Sequence, residues 1–342
     1  MMKKLLTITL ILFLVMSMFI GITGLASAAA SKVTIGVSLP TQDVERWVRN
    51  KENLTSEAAK QGANIKIQVA NDDPGKQISQ CENLISQGVD VLIIAAADAV
   101  SSATSVDAAK QAGIPVLCYV RLVENCDLDA HIAYDNKKVG EIQGKYLTQL
   151  VPKGNYILLA GSKTDHNSFL FKEGAMSYIQ PLVDKGDVKI VMEQFVTGWQ
   201  PSEALKIVEN ALTANNNEID GILSPNDSLA GAAIQALAAQ GLAGKVPVTG
   251  GDADAAAARR IIEGTQTMTA YRDLLIMDKK AIEVAIKLAK GESISDIATE
   301  TINNNYKDVP AILLPPVVVD KNNVDEILIE SGYHSKEDVY GK

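Results

Sequence analysis

A chain of 342 residues is long enough for two domains, and 47% hydrophobic against 21% charged residues excludes a disordered chain. The net charge of −9 becomes −11 once the two positive charges of Lys3 and Lys4 are set aside with the N-terminal segment. That acidity excludes a general nucleic-acid binder, because phosphate contacts need lysine and arginine in excess.

Residues 1–28 read as a signal peptide for export or as a retained N-terminal anchor. Lys3-Lys4 forms the positive end, Leu5 to Gly24 is apolar or nearly so, and Ala26-Ser27-Ala28 supplies the small residues of a cleavage site. Cleavage puts the mature start near Ala29. The anchor reading rests on the length of the run, which is enough to span a bilayer. No cysteine follows the run to take a lipid.

From Ser31 onward, short apolar runs alternate with helical stretches. Val33 to Leu39 is rich in β-branched residues and predicts a strand. Asp43 to Gln61 predicts a helix that stops at Gly62, and Ile65 to Ala70 a second strand. Pro74 suits the first turn of the next helix. Val89 to Ala95 is continuously apolar, as a parallel strand buried on both faces requires. Further on, Ala204, Ile207, Val208 and Ala211 fall at helical spacing, as do Ile282, Ala285, Ile286 and Ala289.

The pattern repeats. Gly88-Val89-Asp90-Val91-Leu92-Ile93 matches Glu218-Ile219-Asp220-Gly221-Ile222-Leu223, and Gly113-Ile114-Pro115-Val116 matches Lys245-Val246-Pro247-Val248. The offsets agree at 130 (Asp90 to Asp220) and 132 (Pro115 to Pro247). Each half is therefore a series of βα units, which forces a parallel sheet with right-handed crossovers. The fold class is α/β, with two similar lobes of βα units facing each other across a cleft and joined by a hinge.

Open α/β sheets bind ligands just beyond the carboxyl ends of their strands. Those ends carry Arg46 with Trp47, Arg121, Asp165 with Asn167, Trp199, Asn226, Asp252 and Arg272. Arg, Asp and Asn hydrogen-bond hydroxyls two at a time, and Trp offers a flat face to a ring. Each residue has a plainer reading. The tryptophans suit a core and the arginines surface ion pairs; Asn226 and Asn167 suit helix caps, and Asp165 an Asx turn. Asp227 reads as structural, Asp254 as a capping residue, and Asp135-Asn136 as a helix start at a domain crossing. His131, His166 and His334 are scattered without metal-ligand spacing, and His166 is placed to rim the cleft. Cys81, Cys118 and Cys126 read as small buried hydrophobes, with a Cys118–Cys126 pair as the alternative. No metal, cofactor or catalytic residue is expected.

The chain resembles the bacterial periplasmic sugar-binding protein family, in its ribose/xylose-type branch with the type I fold. The resemblance runs from about Ser31 to His334. It is carried by Val44-Glu45-Arg46-Trp47, Asn136-Lys137-Lys138-Val139-Gly140, Val151-Pro152-Lys153-Gly154-Asn155-Tyr156, Asn210-Ala211-Leu212-Thr213-Ala214-Asn215-Asn216-Asn217 and Gly264-Thr265-Gln266-Thr267-Met268-Thr269. It implies two Rossmann-like lobes with parallel sheets and a three-crossing hinge, with residues 31–134 plus 273–306 in one lobe and 135–272 plus 307–342 in the other. It also implies that the nine strand-end residues contact a pentose, D-xylose first, which is delivered to the membrane permease of an ABC transporter. Two positions depart from the family. Arg272 stands where Lys is usual, a planar fork for a point donor. Val120 stands where Asp is usual, which predicts an Arg121 short of one carboxylate. A lost hydrogen bond to a charged group costs about 1.5–3 kcal/mol, roughly tenfold to a hundredfold in affinity, so a weaker or shifted sugar preference is expected.

Three other functions fit parts of the pattern. A sensor subunit read by a membrane histidine kinase or a chemoreceptor would use the same closure; the missing lipid-anchor cysteine, the long apolar N-terminus and Val120 lean that way. A glycoside hydrolase needs two carboxylates flanking one bond, and three arginines beside Asp165 and Asp252 suit neither to giving up a proton. A DNA-binding repressor would need a helix-turn-helix where the export segment stands.

Overall fold

The structure is a computed structural model that describes residues 32–298 and 300–341; the export or anchor segment expected over 1–28 lies outside these. The first lobe opens with β1 (Thr34–Leu39), α1 (Glu45–Lys60), β2 (Asn64–Val69), α2 (Pro74–Ser86), β3 (Val91–Ile94), α3 (Ala103–Gln111), β4 (Val116–Tyr119) and β5 (Ala130–Tyr134). The second lobe follows with α4 (Asn136–Leu150), β6 (Gly154–Ala160), α5 (His166–Asp184), β7 (Val188–Phe195), α6 (Pro201–Ala214), β8 (Gly221–Leu223), α7 (Asp227–Ala239), α8 (Ala255–Glu263) and β9 (Met268–Tyr271). The chain then returns with α9 (Leu274–Ala289), β10 (Glu300–Asn303) and β11 (Asp308–Leu314), and crosses once more to β12 (Val317–Asp320) and α10 (Lys336–Tyr340).

The first sheet has the order β10-β11-β5-β4-β3-β1-β2, parallel except for the β10–β11 pair. Alternation along β3 explains why this run is apolar throughout. Val91 and Ile93 face a core shared with Leu54 of α1 and with Met277, Ala281 and Ile282 of α9. Leu92 and Ile94 face the opposite core with Cys81 and Leu84 of α2 and Val106 of α3. Both faces are covered, as a parallel sheet requires. In the second lobe β6 pairs with β7 and β8 in parallel. Single bridges, Ile222 to Val248 and Gly251 to Ala270, extend the sheet towards the β9–β12 pair. The repeat seen in the sequence is thus a repeat of strand position: Val91 and Gly221 each begin a strand paired in parallel with a strand that opens its lobe.

Helix ends follow the expected chemistry. Gly62 takes φ +77° just past α1, and Pro74 opens α2, whose cap Asp73 accepts from the Lys76 amide. Asp135 caps α4 by accepting from the Lys138 amide. The three cysteines are buried and unpaired as thiols. No helix among the described residues is long and apolar enough to cross a membrane.

The chain crosses between lobes after Tyr134 and after Arg272, and a third time later than expected. Residues from 307 were expected in the second lobe, yet Ala311, Ile312, Leu313 and Leu314 pair in parallel with His131, Ile132, Ala133 and Tyr134. The apolar run of β11 completes the first sheet, and the chain crosses at Pro315-Pro316, where no amide is available to continue the ladder. Hydrogen bonds tie the crossings together. The Asp135 amide donates to the Leu314 carbonyl at 2.8 Å, and the Tyr134 hydroxyl donates to the Asp273 carbonyl at 2.8 Å. The hinge is a bundle of three strands of chain that must bend together.

Candidate ligand-binding site

Strand ends bring all nine sequence-derived residues to one place. Arg46 and Trp47 sit in the first turn of α1, after β1. Arg121 follows β4. Asp165 caps α5, its carboxylate accepting from the Asn167 amide at 2.9 Å. Trp199 lies in a short 3-10 turn after β7. Asn226 caps α7 through Oδ1, which accepts from the Leu229 amide at 3.0 Å and leaves its NH2 group for other partners. Asp252 follows Gly251, whose closeness to the Pro225 carbonyl leaves no room for a side chain: a Cβ there would lie 2.7 Å from that oxygen. Arg272 follows β9. Together with Val44, Val120 and Phe171, these residues line one cavity.

Charge is balanced inside it. Arg46 lies 2.9 Å from Asp252, and Arg272 pairs with the same carboxylate oxygen. Arg121 lies 3.0 Å from Asp165 and 3.5 Å from Asp72. The expected shortage of a carboxylate beside Arg121 is therefore corrected: Asp72, in the turn after β2, supplies the partner that Val120 cannot. Three guanidiniums meet three carboxylates, Asp72 from just outside the cavity wall, so the cluster leaves no net charge over for an ionic ligand. Donors are left over. Nε of Arg46 and Nε of Arg272 are buried with no hydrogen-bond partner among the described residues. A buried donor without a partner costs about 1–3 kcal/mol, and a ligand oxygen relieves that cost.

Aromatic residues wall the cavity from both lobes. Trp47 is 2% exposed, with the Arg46 and Arg121 guanidiniums 5.2 and 5.4 Å from its ring. Trp199 donates from Nε1 to Asp165 at 3.2 Å and meets Phe171 edge-on at 6.3 Å. The core and the ligand readings of the tryptophans are thus compatible, since each is packed on one side and borders the cavity on the other. Backbone strain gathers here. Val120, Trp199, Asp252 and Ala253 have φ of 62°, 58°, 97° and 55°, a region that side chains other than glycine seldom adopt. Val120 is held there from both directions, its amide donating to the Ile132 carbonyl at 2.8 Å and its carbonyl accepting from Asn167 at 3.1 Å.

The lobes are shut. Besides the Arg46–Asp252, Arg121–Asp165 and Asn167–Val120 contacts, the Ala99 amide of the first lobe donates to the Thr164 carbonyl of the second at 2.9 Å.

Asp227 is structural as expected, accepting from Gln266, Thr269 and the Asp254 amide at 2.7, 2.8 and 3.0 Å. Asp254 occupies the cap position of α8, but its side chain makes no capping bond, which corrects the capping role assigned to it. Burial next to Asp227 and Asp252 instead pushes its carboxyl well above the usual range. His166 does not line the cavity; its Nδ1 lies 2.6 Å from Glu124. No group of three or more potential metal ligands occurs among the described residues. Val44, Phe171 and Asp72 escaped the sequence reading. Phe171 had a signal, lying four residues beyond Asn167 on the same face of α5.

Beneath Trp47 lies a buried acid. Tyr119 meets the indole edge-on at 6.4 Å and donates its hydroxyl to Asp278, which also accepts from Asn50 at 3.0 Å and Asn53 at 2.9 Å. Burial pushes the Asp278 carboxyl up to about 7, against the pull of these donors. A raised acid holds more protons folded than unfolded between about pH 4 and 7, so its contribution to stability falls as pH rises through that window. Asn imitates the protonated form. Asp278→Asn should gain on the wild type by roughly 2–4 kcal/mol between about pH 5 and pH 8, read from urea unfolding. A difference that stays constant with pH would contradict this.

A cleft of this kind defines a protein that shuts two lobes on one small uncharged molecule. Residues 35–293 match the periplasmic binding protein domain, and the chain belongs to that family. A D-xylose-binding periplasmic protein of Haemophilus influenzae is 44% identical over 320 residues, covering 93% of this chain and 96% of the relative. The D-xylose-binding periplasmic protein of Escherichia coli is 45% identical over 313 residues, covering 92% and 94%. Among solved structures, a carbohydrate transporter solute binding protein from Chloroflexus aurantiacus in complex with D-glucose superposes with a TM-score of 0.84 at 32% identity, covering 90% of this chain and 98% of the other. The family expected from the motifs is the family found.

Proposed function

We propose that this chain is an exported, periplasmic-type receptor that closes on a pentose, D-xylose first, and hands it to the permease of an ABC-type sugar transporter. The observation that carries the reading is the charge-balanced cavity between shut lobes, with spare Nε donors and an indole from each side. A neutral polyol satisfies those donors without disturbing the ion pairs, and its ring suits the indole faces. The two D-xylose-binding relatives support the choice of sugar. The nine strand-end residues are proposed as the sugar contacts, joined by Phe171 and Val44 as apolar wall. Binding without chemistry fits a solute-binding family. Closure replaces the water around the sugar by fixed partners, and the shut form is what a permease would read.

Calorimetric titration with D-xylose, ribose, arabinose, glucose and galactose tests this. D-xylose is expected to give the tightest binding. Heat from none of the five would remove the sugar reading, and tightest binding of a hexose would remove the pentose preference.

A further inference from the structure

The C-terminal segment reaches back to the helix that carries Arg46 and Trp47. Arg49, one turn along α1, donates from Nη2 to the Tyr333 carbonyl at 2.7 Å and lies over the Tyr333 ring, 4.1 Å from its centroid. Its Nη1 is 3.4 Å from Nδ1 of His334. The other ring nitrogen of His334, Nε2, is 2.7 Å from the carbonyl oxygen of Ala253. Ala253 directly follows the ligand-lining Asp252, and both have positive φ.

These partners select one form of the imidazole. A carbonyl oxygen only accepts, so Nε2 carries the hydrogen. A guanidinium only donates, so Nδ1 must be bare. The imidazolium keeps the first bond, loses the second and sets a positive charge against Arg49.

We infer that His334 and Arg49 form a latch that positions the Asp252–Ala253 turn for the ligand and holds the cleft shut only while His334 is neutral. The inference rests on the cleft being one that closes on a sugar. Its geometry spans the lobes. Arg49 belongs to the first lobe, while Ala253 packs with Ala258, Val319 and Leu328 in the second. The His334–Ala253 bond lies within the second lobe and pins the strained turn; the Arg49 contacts cross between lobes and break on opening. One side chain thus joins the ligand turn to the closing contact.

The charged groups that act on the ring are Glu45 and Arg49 on α1 and Asp338 on α10, and Arg259 on α8 donates to the Asp338 carbonyl at 2.8 Å. Burial lowers the His334 ring from the ordinary imidazole value; the Ala253 carbonyl, Glu45 and Asp338 act the other way, and Arg49 adds to the lowering. Opening removes Arg49 and lets in water, returning the ring towards its ordinary value of about 6.5. The open form then takes up the proton more readily than the shut form. Acid therefore favours opening, and affinity is lost as pH falls below about 6.5, by at most about tenfold per pH unit for a single proton.

The experiment is calorimetric titration with D-xylose at several pH values from about 7.5 to about 5, for the wild type, His334→Gln and Arg49→Met. Gln keeps one donor and one acceptor but does not titrate. The wild type is expected to lose affinity progressively across this range, by at most about tenfold per pH unit. His334→Gln should bind within about fivefold of the wild type at pH 7.5 and lose that decline. Arg49→Met should bind about five- to tenfold more weakly at pH 7.5, with thermal unfolding of the sugar-free protein little changed, because its partners lie in the other lobe apart from the exposed Glu45 at 3.9 Å on its own helix. A His334→Gln profile that superimposes on the wild type, or an Arg49→Met affinity equal to it, overturns the latch alone. A wild type that gives no heat with any sugar overturns the reading of the cleft and the latch with it.

Discussion

Replacing Asp252 with alanine is expected to weaken sugar binding by about a hundredfold or more. One oxygen of this carboxylate holds Arg46 from the first lobe and Arg272 from the second, and all three side chains are nearly inaccessible to water. Without it, two guanidiniums face each other across the shut cleft with no acceptor between them. Removing one member of a buried ion pair costs about 3–5 kcal/mol, because the other charge stays behind unpaired. Part of that cost falls on the closed state alone, since Arg46 arrives only when the lobes meet, and every 1.4 kcal/mol is about tenfold in affinity. The Arg272 share falls on the second lobe in either state, so the sugar-free protein should also unfold a few degrees lower. Asp252→Asn keeps the shape and one acceptor, and an intermediate loss of about tenfold is expected. Calorimetry with D-xylose and thermal unfolding without it separate the two effects. Affinity of Asp252→Ala within about fivefold of the wild type would place Asp252 outside the ligand site.

The parts of the fold legible in the sequence were those decided locally. Val91-Leu92-Ile93-Ile94 is apolar at every position because both faces of β3 are covered, and the repeat between it and Ile219 to Leu223 announced two lobes. Once strands are placed, their ends point to Arg121, Trp199, Asn226 and Asp252 through a rule of topology, and the family resemblance carries its sugar contacts onto the same positions. What stayed hidden depends on partners far apart in the chain. The run from Ala311 to Leu314 suits an edge of either sheet; only its pairing with His131 to Tyr134 decides between them. Asp72 sits beyond β2 in a turn with φ 55°, and nothing local marks it as the second partner of Arg121. Val120 read as a lost acceptor. Its strained backbone, held by Ile132 and Asn167 from opposite sides, is visible only with both lobes in place.

Trp199→Ala is expected to cost about a hundredfold in sugar affinity, and a glycine behind it gives a way to check the cause. Gly161 ends the run after β6, and its backbone is not in the left-handed region, so alanine is free of conformational strain there. The methyl group it would add overlaps Cζ2 and Cη2 of the Trp199 indole and crowds the Ser168 hydroxyl. The indole is fixed by its bond to Asp165 and its edge contact with Phe171, so it must move. Movement breaks the Nε1–Asp165 bond and loosens the carboxylate that pairs with Arg121 at 3.0 Å. Gly161→Ala should therefore weaken binding at least about tenfold, although Gly161 does not line the cavity. If displacement of the indole is the whole cause, the double variant Gly161→Ala with Trp199→Ala should bind no more weakly than Trp199→Ala alone, because the ring that clashes is gone. Losses that simply add would show that Gly161 acts through another contact, and Trp199→Ala with unaltered affinity would remove the indole from the site.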